Sequence, residues 1–149
     1  MLTLLATLVA SSVATADIRP LLRQQGFEAP INGREQISYI GHIPQGRNDY
    51  QIYLYHGVFR AAAVDHGVNR MIVMLNGSIF FGEYVIDLPR DCKVRGQKVI
   101  CNTGNPGFPG IITFTKRGPP KEIWFDGEIH GFQFGDKGKG AYLKSNRPT

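Results

Sequence analysis

The chain has 149 residues and carries 17 Lys plus Arg against 12 Asp plus Glu, a formal net charge of +5. At 42% hydrophobic and 19% charged, the composition is that of an ordinary globular protein and excludes wholesale disorder, a collagen-like rod and a disulfide-dense miniprotein. The length suits one domain with a core of its own.

Residues 1–16 are mostly Leu, Val and Ala, end in Ala14-Thr15-Ala16, and precede the first charged side chain, Asp17. The stretch is shorter than the ~20 apolar residues of a spanning helix and has the small-residue ending of a cleavage site. It is read as a secretory signal peptide, although no Lys or Arg precedes the apolar run; a buried N-terminal helix is the alternative. The expected organisation is a leader over 1–16, one domain over 17–135 and a flexible basic tail over 136–149. The expected address is the periplasm or the extracellular space, where two cysteines stay oxidised.

Within the domain, residues 18–25 suit a short helix, with Pro20 in its first turn and Gly26 as its stop. Residues 36–42 and 50–56 read as strands separated by a turn over 44–49. Residues 57–68, which include Ala61, Ala62 and Ala63, fit a strand, a helical turn or a long loop equally well. Asn76-Gly77 then marks a type I′ hairpin between 70–75 and 78–86, both strand-forming and apolar on both faces. A two-residue loop there sets Arg70 opposite Glu83. Strands buried on both faces belong between two layers.

The segment Cys92–Cys101 reads as a second hairpin about Gly96-Gln97, with Gly at the first position of a type II′ turn. Counting outward from the turn pairs Arg95 with Lys98, Val94 with Val99, Lys93 with Ile100 and Cys92 with Cys101. The cysteines then stand roughly 4.5 Å apart at Cα, within reach of a disulfide. Strand alternation puts Lys93, Arg95 and Lys98 on one face and Val94 and Val99 on the other. A Gly- and Pro-rich loop follows over 102–110, with Phe108 near its tip, then a strand over 111–115 and a basic turn over 116–121. A third hairpin, 122–125 with 128–134, is marked by Asp126-Gly127. The count of eight to ten short strands in sequential hairpins predicts an all-β fold, a small antiparallel barrel or a two-sheet sandwich.

Charge is unevenly placed. Residues 90–121 sum to +6, whereas residues 17–89 sum to −1 and residues 122–136 to −4. A basic patch of this kind attracts anionic partners, and it also serves simply as a solvated face. Outside the cytoplasm the partner would be an acidic glycan, a lipid headgroup or an acidic protein rather than nucleic acid. The candidate contact residues are Lys93, Arg95, Lys98, Phe108, Lys116, Arg117 and Lys121. A barrel would allow Trp124 and Phe108 to flank one mouth, where aromatics stack on sugars or line a cavity; embedded in a strand, Trp124 fits the core more simply.

No cofactor or metal is expected, because His42, His56, His66 and His130 show no ligand spacing. The functional expectation is an exported, monomeric binding domain, acting as an inhibitor or a ligand carrier. Two alternatives stand beside it: a small secreted hydrolase using Glu128 and His130 with Asp126, and a structural envelope protein.

Overall fold

The structure, a computed structural model, describes residues 16–87, 90–105 and 107–146. The expected leader, apart from Ala16, lies outside the described residues. The fold is mostly β, with antiparallel sheets. A short helix α1 (Arg19–Gln24) precedes β1 (Gln36–Gln45), β2 (Asn48–Ala61), β3 (Val64–Leu75) and β4 (Ile79–Val85). The small hairpin β5 (Arg90–Arg95) and β6 (Lys98–Asn102) follows, then β7 (Gly110–Thr113), β8 (Glu122–Phe125), β9 (Glu128–Phe134) and a last helix α2 (Gly138–Ser145).

Six strands form one curled sheet in the order β1-β2-β3-β4-β9-β8, and three form a second in the order β5-β6-β7. The small sheet lies against both edges of the large one, β5 beside β1 and β7 beside β8. Gly41 makes the first approach possible: it sits at a β-bulge with φ +144°, and a Cβ there would fall 2.8 Å from the Val94 Cβ. The enclosed space is filled by side chains, among them Ile52, Met71, Phe81, Tyr84, Val99 and Ile112, each no more than 1% exposed. The opposite face of the large sheet carries a second core, where Tyr55, Ile72, Met74 and Phe80 are covered by Leu22 of α1 and by Phe27. Residues 71–75 of β3 and most of β4 are therefore buried on both sides, as their two-faced apolar sequence requires.

The hairpin turns follow the sequence closely at two of the three marked sites. Val94↔Val99 and Arg95↔Lys98 flank the Gly96-Gln97 turn, and Phe125↔Glu128 leaves Asp126-Gly127 as a two-residue loop with both φ values positive. The Asn76-Gly77 hairpin differs. Its loop takes in Ser78, so that Leu75 pairs with Ile79, and a bulge after Val73 adds one more residue. Arg70 therefore pairs with Val85 rather than with Glu83, which stands opposite Ile72. Two one-residue insertions restore the side-chain parity, so Arg70 and Glu83 still share a face and approach to 3.7 Å on the diagonal.

The remaining differences concern connections. Residues 44–49 turn through Gly46-Arg47 alone, since Gln45 pairs with Asn48. Residues 57–68 belong to β2 and β3, which run past the ends of β1 and β4 as a two-stranded arm closed by Ala62-Ala63. The tail expected from residue 136 instead holds α2, whose Ala141 and Tyr142 pack on the enclosed core. Gly138 lets it dock, because a Cβ there would collide with the Phe81 carbonyl.

Candidate functional site

The small sheet is built by alternation. Val94, Val99 and Ile112 are in register and face the enclosed core, as do Cys92 and Cys101. The two cysteines form a disulfide with their Cα atoms 4.0 Å apart. A bulge at Asp91-Cys92, with Asp91 at φ +47°, adjusts the pairing just beyond them. Outward, Lys93 stands in line with Ile100 and Ile111, and Arg95 with Lys98 and Thr113. The outer surface of this sheet has no covering layer among the described residues, and Ile111 is 43% exposed on it.

Two clefts open on this side of the molecule. The first, about 440 Å³, is lined by Asp91, Lys93, Arg95, Ile100 and Asn102 from the hairpin and by Thr103 and Asn105 from the following loop. The loop is held by its own side chains. Asn102 Oδ1 accepts from the Gly104 amide at 2.9 Å, the Thr103 hydroxyl donates to the Phe108 carbonyl at 2.8 Å, and Asn105 Oδ1 accepts from the Gly107 amide at 3.1 Å. Such local bonds shape an irregular segment without secondary structure.

The second cleft, about 230 Å³, adjoins the first through Asn105 and is otherwise lined by Phe108, Trp124, Asp126 and Gly127. Alternation decides where Trp124 goes: Ile123 and Phe125 are buried, so the residue between them points outward and is 61% exposed. The core placement expected for Trp124 is thus corrected. The run Ile123-Trp124-Phe125 offered either parity, and packing on the enclosed core took the flanking pair.

Of the candidate contact residues, Lys93 and Arg95 line the first cleft and Phe108 the second. Lys98 lies on the same sheet face beside Arg95. Lys116 and Arg117 occupy the turn bridged by Thr115 and Gly118, and Lys121 leads into β8; all three are exposed and none lines either cleft. Asp91, Asn102, Thr103 and Asn105 escaped the sequence reading, although the Asn-Thr-Gly-Asn pattern of a self-bonded loop was there to find. Among the described residues, neither Lys93 nor Arg95 has a carboxylate partner within 4 Å. Glu128 is exposed and His130 half-buried with Nε2 3.3 Å from the Phe125 carbonyl, and neither lines any cleft described here.

A third cleft, about 490 Å³, lies on the other side of the large sheet beside α1. There His42 Nδ1 meets Asp49 Oδ1 at 2.8 Å, and the Gln51 amide donates to Asp49 Oδ2 at 2.7 Å.

Two carboxyls behind the same sheet are perturbed in opposite senses. Burial pushes Glu83 up to about 7, only partly offset by Arg70 and reinforced by Glu28; the Arg70 Nε and Glu83 Oε2 atoms are buried without a hydrogen bond. Burial also pushes Glu35 upward, but hydrogen bonds from Arg19 and from the Asn32 and Gly33 amides outweigh it and hold the carboxyl down at about 2.

No family model, curated protein or solved structure matches this chain. Among the described residues no helix is long and apolar enough to cross a membrane.

Proposed function

We propose that the protein is an exported β-domain that binds an anionic envelope or extracellular partner on the outer face of the small sheet. The observation that carries this reading is the pair Lys93 and Arg95: two cations without an ion-pair partner among the described residues, fixed on a disulfide-closed hairpin at the wall of a 440 Å³ cleft. Cations held in a concave, partly apolar setting attract anions more effectively than the same charges on an open surface. The apolar segment over 1–16 and the oxidised cysteines support export. The side-chain-filled interior favours contact at the surface over cargo carried inside, and so favours an inhibitor or adhesion role over a carrier.

The test is salt-dependent retention on an acidic matrix. The wild-type protein should elute later than a variant in which Lys93, Arg95 and Lys98 are all changed to Ser, and the gap should close as salt screens the charges. Equal elution at low salt would overturn the reading.

A further inference from the structure

The two adjoining clefts differ in chemistry, and the difference specifies the ligand. One end presents cations, Lys93 and Arg95. The other presents aromatic surface, with Phe108 59% and Trp124 61% exposed, around a cleft of about 230 Å³. That volume is below the range of drug-sized pockets and suits one ring. Between them stands the Asn105 side chain, which lines both.

We propose that this surface binds an acidic oligosaccharide in which neutral and acidic rings alternate. A neutral sugar ring stacks its C–H face against Trp124 and Phe108, and the carboxylate of the next ring reaches Lys93 and Arg95. The proposal rests on the anion-binding reading above and narrows it. Trp and Phe faces are electron-rich and suit the polarised C–H bonds of a pyranose, while Asn105 donates to and accepts from hydroxyls. Asp126 at the rim of the aromatic cleft repels anionic groups there and accepts from hydroxyls, so a ligand charged on every unit fits poorly. The same carboxylate disfavours an anionic membrane surface, which attracts cations and repels negative charge.

The chain contains a single tryptophan, so its fluorescence reports on this site alone. The experiment titrates the protein with a hexasaccharide of alternating N-acetylglucosamine and glucuronate. Parallel titrations use an N-acetylglucosamine hexamer, polyglutamate, and vesicles of phosphatidylglycerol and phosphatidylcholine. The expected result is a saturable change in Trp124 emission with the acidic hexasaccharide alone. Its affinity should drop on the order of tenfold in a Lys93→Ser/Arg95→Ser variant, the scale of lost charged hydrogen bonds. It should drop about fivefold in Phe108→Ala, the scale of a lost aromatic contact. Both sites are exposed, and unchanged thermal melting confirms that the variants fold. A response to polyglutamate or vesicles without one to the hexasaccharide overturns the ligand class and leaves the anion-binding reading standing. An equal response to the neutral hexamer shows that the cations do not contribute and overturns the proposal. Silence toward every ligand, together with wild-type elution of the triple Ser variant from the acidic matrix, overturns both.

Discussion

The centre of the six-stranded sheet is covered on both faces, whereas the three-stranded sheet is covered on one. In the large sheet, alternate residues of β3 feed two cores, Met71 and Val73 into the enclosed one and Ile72 and Met74 into the layer under α1. In the small sheet, alternation spends one face on Val94, Val99 and Ile112 and leaves the other to Lys93, Arg95, Lys98 and Ile111. The small sheet packs its one apolar face on the enclosed core and also carries the disulfide. The covered centre of the large sheet supplies the scaffold, while the cross-linked sheet presents charged side chains beside Trp124 at the large sheet's β8 edge.

The sharpest way to break this division is to truncate one side chain in each sheet. Phe81→Ala should cost about 3–5 kcal/mol in chemical denaturation, while Ile111→Ala on the open face should stay within about 1 kcal/mol. Comparable losses would mean that the small sheet's outer face is part of a core.

Next in size is pH, acting through two carboxyls, Glu83 on β4 and Glu35 just before β1. Glu83 has its carboxyl raised from 4.5 to about 7 in the folded chain, so the folded state binds the extra proton. Stability from this group is greatest below about 4.5 and declines as pH rises to about 7, by at most about 3 kcal/mol. Glu83→Gln should flatten that slope. Glu35, lowered to about 2, has the opposite sign: its contribution is present above about 4.5 and is lost as pH falls toward 2, and Glu35→Gln should remove that loss. Denaturation midpoints measured across pH 2–8 check both.

Replacing Cys92 and Cys101 by Ala should cost about 2–3 kcal/mol. Hydrogen exchange should quicken first in β5, β6 and β7, with β2, β3 and β4 still protected. Uniform loss of protection would show that the two sheets unfold as one unit. Smaller again is the arm between β2 and β3. Ala62 and Ala63 both hold positive φ, +50° and +62°, which costs an L-residue of this kind roughly 1–2 kcal/mol. Changing them to Asn-Gly should raise stability by about 1 kcal/mol. Smallest is the triple Ser variant at Lys93, Arg95 and Lys98, expected to shift stability by less than about 0.5 kcal/mol while eluting earlier than wild type from the acidic matrix.

What could be read from the sequence was what is decided locally. The Gly96-Gln97 and Asp126-Gly127 turns specify their own geometry, and the cysteine pairing follows from the first of them by counting. The register about Asn76-Gly77 was not legible, because the extra loop residue Ser78 and the bulge after Val73 leave no local mark. The arm over 57–68 lacked an alternating pattern because it has neither β1 nor β4 alongside it. Helix α2 contains two glycines and has weak helical propensity; it forms where Gly138 fits against Phe81 and Tyr142 packs on Phe134. Half of the site was visible as the basic face of a hairpin. The other half was hidden because the outward turn of Trp124 is fixed by the burial of its two neighbours, a tertiary outcome.

The most direct test of the central claim, that recognition belongs to the outer face of the cross-linked sheet and the adjoining Trp124 edge of the large one, is amide chemical-shift mapping during titration with the alternating acidic hexasaccharide. The account predicts shifts over residues 91–105, at Phe108 and over 124–127, with the rest of the chain quiet. Shifts concentrated instead on the arm around Phe59 and His66, or beside α1 at His42 and Asp49, would contradict it.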